Sequence, residues 1–233
     1  SLDGIDIVLI NQNNISIKII EFMHIPYNSN TIKNLLELHL NKNSDLEHSI
    51  QMSLFHAKIT AKGIKKILKK NNLMAKDIEC IGYHGQTIRH YPERGYSVQL
   101  GSANLLAELT NISVVSDFRN RDIVAGGQGA PLVPAFHNDF FFKKNKNRII
   151  INIGGISNIT YLPANKNIIG FDCGPGNILL DHWIKIHHNK NFDNLGKWAK
   201  SGELVEDLLI NFQKDSFFNK QPPKSTGREL FNI

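Results

Sequence analysis

The sequence predicts an α/β protein of two domains. Short β-branched runs alternate with amphipathic helical stretches, and a strand meander followed by a helical crossover occurs twice. A length of 233 residues also suits two small domains better than one. The first domain is expected over residues 1–117 and the second over 118–233, because the texture changes near Asp117.

The opening reads as a hairpin. Gly4 to Ile10 is β-branched, Asn11-Gln12-Asn13-Asn14 is turn material, and Ile15 to Ile20 forms the return strand. Helical patterning follows from Thr31 to about Asn41. It resumes at Ser44, an N-cap candidate with Glu47 at capping-box spacing, and runs with breaks to Lys70. Ile78 to Tyr83 is a strand that delivers His84-Gly85-Gln86-Thr87 at its end. Tyr96 to Leu100 is a strand, Ser102 to Leu109 a short helix, and Ile112 to Val115 another strand. Asp117 to Asp122 then packs four charges into six positions, ahead of Gly126-Gly127-Gln128-Gly129-Ala130-Pro131, which is poor material for a helix or strand interior. Leu132 to Phe142 is expected to be helical, and Arg148 to Ile153 a buried strand ending in Gly154-Gly155. Ile159 to Leu162 and Ile168 to Phe171 complete a meander, with helices over Asn177 to Ile186 and Glu203 to Gln213.

Composition narrows the function classes. A hydrophobic share of 41% with 21% charged residues is ordinary globular usage and excludes wholesale disorder. No apolar run reaches the roughly 18–20 residues of a membrane helix. Ser1-Leu2-Asp3-Gly4 has neither a basic n-region nor an apolar core, so it does not read as a signal peptide. It lacks an initiator Met and opens inside a turn, as a segment cut from a longer chain would. The net charge of +6 admits a polyanionic partner. Yet Lys62, Lys65, Lys66, Lys69 and Lys70 alternate with Ile64, Ile67 and Leu68 as the wet face of one helix, and aromatic–basic interleaving is lacking. Neither nucleic acid nor a membrane is therefore expected as a partner. Cys80 and Cys173 are far apart, which suggests no disulfide framework or zinc motif and fits a reducing, cytoplasmic setting.

Three features stand at strand ends, where open α/β sheets place ligands. In Ser1-Leu2-Asp3-Gly4-Ile5-Asp6, successive amides could form a phosphate nest while Asp3 or Asp6 holds Mg²⁺; a plain tight turn is the competing reading. Asn152-Ile153-Gly154-Gly155-Ile156-Ser157-Asn158 and Phe171-Asp172-Cys173-Gly174-Pro175-Gly176-Asn177 form a second pair of loops. Their glycines allow close backbone approach, and Asp172 would stand near free N–H groups of a helix starting at Asn177. Against this, Asp172 could cap a turn and Asn177 the helix. The third feature combines Arg119 and Arg121, as forked donors, with His84, Gln86 and Thr87 and the glycine loop at 126–129; surface ion pairs are the alternative there. GxxxxGK[ST], GxGxxG and GxSxG motifs do not occur, and His187-His188 lack zincin spacing.

Together these motifs resemble the anhydro-N-acetylmuramic acid kinase family of bacterial cell-wall recycling. The resemblance is carried by SLDGID at 1–6, HGQT at 84–87, DFRNRD at 117–122, AGGQGAPLVPAFH at 125–137, NIGGISN at 152–158, FDCGPGN at 171–177 and PPKSTGRE at 222–229. It implies a two-domain actin/hexokinase-like fold, incomplete at both termini, with ATP and Mg²⁺ in the interdomain cleft. The implied reaction phosphorylates O6 of 1,6-anhydro-N-acetylmuramic acid while water opens the anhydro ring. Carried over by motif, Asp172 is the base, and Ser1, Leu2, Asp3, Gly4, Ile5 and Asp6 line the nucleotide phosphates, with Asp3 and Asp6 toward the metal. Asn152, Gly154, Gly155, Asn158, Gly174 and Gly176 complete the nucleotide site. His84, Gln86, Thr87, Arg119, Gly127, Gln128 and Gly129 shape the sugar pocket. A homodimer is admitted but not specified. Two residues depart from the family pattern: Cys173 stands where Thr is expected, and Tyr91 where Arg precedes Pro92. A truncated, catalytically impaired homologue that binds sugar or a partner is the alternative reading.

Overall fold

The computed structural model describes residues 3–13, 16–40, 45–165, 167–227 and 230–231. Ser1, Leu2, Asn14, Ile15, Ser44, Arg228 and Glu229 lie outside the described residues. The chain is mixed α/β and divides into two compact units, Ser1–Arg121 and Asp122–Ile233.

In the first unit, β1 (Gly4–Gln12) pairs antiparallel with β2 (Ile17–Pro26), with a register shift at Leu9/Ile10. Then come α1 (Ser29–Leu40) and α2 (Leu46–Lys70). β3 (Ile81–Tyr83) is followed by the antiparallel hairpin of β4 (Gln86–Tyr91) and β5 (Tyr96–Leu100). α3 (Ala103–Thr110) leads to β6 (Val114–Ser116), which pairs in parallel with β3. α4 (Phe118–Val124) closes the unit and continues into the next.

The 25 residues of α2 give it a length of about 37 Å. Its N-cap is Asp45, whose carboxylate accepts from the Glu47 amide; it occupies the place expected of Ser44. The helix runs unbroken through Gly63, which is buried and lets the Ile7 and Ile25 side chains approach the helix closely. All five lysines from Lys62 to Lys70 are exposed, while Ala61, Ile64, Ile67 and Leu68 are buried, so the lysine run is a solvated face. One core cluster joins Ala57, Ala61, Ile64 and Leu68 to Tyr83, Leu106 and Ile112; a second joins Ile5, Tyr27, Leu35, Leu38, Ile88 and Leu100. The strand expected from Ile78 shortens to Ile81–Tyr83, and the charged 117–122 stretch becomes the start of a helix. Asp117 takes a left-handed conformation at φ 62°, and its carbonyl accepts from the Arg121 amide.

The second unit contains α5 (Val133–Phe141) and a three-stranded antiparallel sheet in the order β7 (Arg148–Ile153), β8 (Ile156–Leu162), β9 (Ile169–Pro175). After it come α6 (Ile178–His188), α7 (Lys197–Lys200), α8 (Glu206–Gln213) and α9 (Ser216–Asn219). α5 lies against the sheet. Its His137 hydrogen-bonds Thr160 at 2.8 Å, and its Pro134 abuts Gly170. Phe217 of α9 is among the largest fully buried side chains. β7 was expected to be buried, but it is an edge strand whose Ile149, Ile151 and Ile153 are exposed on one face.

Candidate active site

In the first unit the described part of the SLDGID turn starts at Asp3. The Asp3 carbonyl accepts from the Tyr27 amide at 2.9 Å, which ties the entrance of β1 to the exit of β2. Along β1, Ile5 is buried and Asp6 is exposed, as alternation requires. One oxygen of Asp6 meets His24 Nδ1 at 2.7 Å. Among the described residues no group of three His, Cys, Asp or Glu side chains is placed to hold a metal ion.

The HGQT loop leaves the end of β3. Gly85 has φ 71°, and an added Cβ would run into the Leu100 carbonyl, so only glycine lets the loop enter β4 here. His84 is oriented by two bonds: Nδ1 meets the Gly85 carbonyl at 2.8 Å, and Nε2 accepts from Arg119 Nε at 2.9 Å. This leaves the proton on Nδ1 and the imidazole neutral. Burial first, and the Arg119 charge second, hold its pKa below the ordinary histidine value. The bond joins HGQT directly to DFRNRD. Asn120 secures that helix start: its amide N–H₂ donates to Asp117 at 2.7 Å, and its carbonyl oxygen accepts from the Ser97 amide at 2.7 Å. Thr87 lies in β4 opposite Gln99. Tyr91 packs tilted against Tyr96 and carries the Arg94 guanidinium over its ring.

A cleft of about 1000 Å³ runs along β1 and β3 within this unit. Gly4, Asp6, His84, Gly85 and Gln86 border it, so the phosphate turn and the HGQT loop face one space. Deeper in the lining, His56 and Tyr83 share a 2.6 Å hydrogen bond. Burial depresses His56 to a pKa of about 4, with the nearby His84 a lesser cause, and pushes Tyr83 upward. Neither residue is signalled in the sequence, since 27 positions separate them.

In the second unit the GGQGAP loop folds around Asp122. The Asp122 carboxylate accepts from the Gly129 amide at 2.7 Å and its carbonyl from the Gly127 amide at 2.9 Å. Gln128 is half-buried. The sequence grouped this loop with His84 and Arg119; its hydrogen bonds tie it to Asp122, a residue given no role there.

The two remaining glycine loops bind each other. The Gly176 and Asn177 amides donate to the Gly155 and Gly154 carbonyls, both at 2.8 Å, and the Ile178 amide to Gly155 at 3.2 Å. An added Cβ on Gly176 would collide with the Gly154 carbonyl. These amides are therefore occupied by carbonyls rather than free for an anion. Asn177 stands at the N-cap position of α6 without a capping bond; its side-chain Nδ2 donates to the Ile153 carbonyl at 3.4 Å. Ser157 Oγ donates to the Gly174 carbonyl.

Asp172 lies on β9 and is 5% exposed. Register places Asn152, Asn158 and Asp172 opposite one another across β7, β8 and β9, a polar rung beside the apolar Ile151–Ile159–Phe171 rung. The Asp172 amide donates to the Lys224 carbonyl at 3.0 Å, and its Oδ2 accepts from the Thr226 amide at 3.0 Å. The carboxylate is thus buried and oriented by a backbone donor from a distant segment. Beside it the Cys173 thiol is pushed up, by burial first and by Asp172 second, so it stays protonated near neutrality. Sequence reasoning gave Lys224 and Thr226 no part in this site; contacts spanning more than 50 residues leave no periodic trace.

The anhydro-N-acetylmuramic acid kinase family model matches residues 1–233. Proteins of that name from Pseudomonas syringae pv. tomato and Nitrosomonas europaea are 47% and 46% identical to this chain over its whole length. One from Pseudomonas putida is 44% identical. The chain spans about 64% of the length of these curated relatives. With a family model spanning residues 1–233 and such identity sustained end to end, the chain belongs to the anhydro-N-acetylmuramic acid kinase family.

Proposed function

We propose that the full-length protein uses ATP to phosphorylate O6 of 1,6-anhydro-N-acetylmuramic acid while water opens the anhydro ring, giving N-acetylmuramic acid 6-phosphate in the cytoplasm. The observation that carries this reading is Asp172, a buried carboxylate with a backbone donor on Oδ2, in a chain that the kinase family model spans from end to end. In this reading Asp172 accepts a proton from the water that attacks the anomeric carbon, as the base of an inverting glycosidase does. The C1–O6 bond breaks, and O6 takes the γ-phosphoryl group, so no protein acid need protonate it. Phosphoryl transfer then rests on in-line positioning and charge neutralisation.

The SLDGID turn and the 152–158 and 171–177 loops serve the nucleotide, within an actin/hexokinase-like arrangement of two domains. His84, neutral and with Nε2 held by Arg119, orients that guanidinium, and the pair borders the sugar's polar groups together with Gln86, Thr87 and the 127–129 loop. Mg²⁺ is commonly held by one or two carboxylates plus phosphate oxygens, and it would neutralise charge on the phosphates. The exposed carboxylates of Asp3 and Asp6 suit that partial donor set, which needs no third protein ligand. The buried, backbone-held Asp172 gives no support to a non-catalytic homologue.

The test incubates full-length protein with ATP, Mg²⁺ and the anhydro-sugar and weighs the product. Gain of one phosphoryl group and one water supports the reading. Phosphorylation without hydration, or no product, sinks it.

A further inference from the structure

Resting on that reading, we infer that Lys224 is a positioning residue for Asp172: its ammonium fastens the 222–227 strap whose backbone grips the carboxylate. The strap has no strand or helix of its own. It lies along the edge of β9 that β8 does not occupy, where the Asp172 amide donates to the Lys224 carbonyl. Two residues on, the Thr226 amide donates to Asp172 Oδ2. The orientation of the carboxylate therefore depends on where the strap sits.

Lys224 sets that place. Its Nζ donates to the Phe217 carbonyl at 3.1 Å and the Phe218 carbonyl at 3.4 Å. These belong to the single turn α9, at whose C-terminal end a cation is favoured; the Phe217 carbonyl accepts from the Lys220 amide as well. The same ammonium stands 4.6 Å from the centre of the Phe217 ring. Phe217 is 1% exposed, and Phe218 packs against Gly174, two residues beyond Asp172. A buried anchor, a cation and a backbone grip thus form one continuous chain from α9 to the carboxylate. The aliphatic stem of Lys224 alone would keep the packing but not the bonds to α9.

The experiment compares wild-type, Lys224→Met and Lys224→Arg full-length protein. Lys224→Met should lower kcat at least tenfold with KM for ATP and for sugar within twofold, and the Asp172 and Thr226 amides should exchange hydrogen faster. Lys224→Arg, which can still donate to both carbonyls, should recover most of kcat and the slow exchange. Unchanged kcat in Lys224→Met, a loss expressed equally in KM, or no recovery in Lys224→Arg would overturn the inference. Asp172→Asn run alongside separates the two ideas. If that variant keeps turnover, the base assignment fails and positioning fails with it. If it is inactive while Lys224→Met behaves as wild type, only the role of Lys224 fails. Amide exchange reads the fastening whatever the turnover.

Discussion

Acidification should weaken the first unit chiefly through His56. The imidazole is 7% exposed, packs between Tyr27 and Tyr83, and hydrogen-bonds the Tyr83 hydroxyl at 2.6 Å. Burial, more than the neighbouring His84, depresses its pKa to about 4, against an ordinary value of 6.5. Between those two values the unfolded chain binds more protons than the folded one, so stability falls as pH falls. At 1.36 kcal/mol for each pH unit between them, the full loss is about 3 kcal/mol, most of it present by pH 4.5. That is a large share of the roughly 5–15 kcal/mol a domain commands. The assay is urea unfolding by far-UV circular dichroism at pH 7 and pH 4.5, for wild type and His56→Gln. Glutamine keeps an acceptor for the Tyr83 hydroxyl but does not titrate. His84 and His90 are also depressed by burial and add to the slope in both proteins, so the difference between proteins isolates His56. If both lose the same stability over this range, the buried-neutral account of His56 is wrong.

Three further outcomes are expected. Asp172→Asn retains an oxygen for the Thr226 amide and should fold normally, while kcat with the anhydro-sugar falls about 10²–10⁴-fold; a melting curve paired with turnover decides this. Arg119→Lys loses the directed Nε donor to His84 and should raise KM for the sugar about tenfold, the scale of one charge-assisted hydrogen bond, with KM for ATP unmoved. Equal effects on both substrates would remove Arg119 from the sugar site. Gly176→Ala drives a Cβ into the Gly154 carbonyl and should cost the second unit about 1–3 kcal/mol, read by tryptophan fluorescence because Trp183 and Trp198 both lie there. An unchanged urea midpoint would mean the two glycine loops can part freely.

Much of the secondary structure was legible because it is local. The lysine face of α2 follows from 3.6-residue periodicity, the β1–β2 hairpin from β-branched runs around an Asn-rich turn, and α3 from the short helical run after Ser102. Local patterns misled where a longer-range partner decided the outcome. Asp117 to Asp122 carries a density of charge that gives no sign of a helix, yet Asn120 bonding Asp117 and Ser97 secures a helix that begins there. Arg148 to Ile153 looked fully buried because its isoleucines run together, yet β7 is a sheet edge with one face open.

The same division holds for the site. Glycines and polar residues at strand ends made Asp172, His84 and Arg119 candidates from sequence alone, since such loops allow close backbone approach and carry polar side chains. Only tertiary structure could join His84 Nε2 to Arg119, spend the Gly176 and Asn177 amides on Gly154 and Gly155, and bring the Lys224–Thr226 strap onto Asp172. Residue type and spacing encode what a short segment can do. Which distant backbone group meets which side chain is settled when the core packs and every buried donor must find an acceptor.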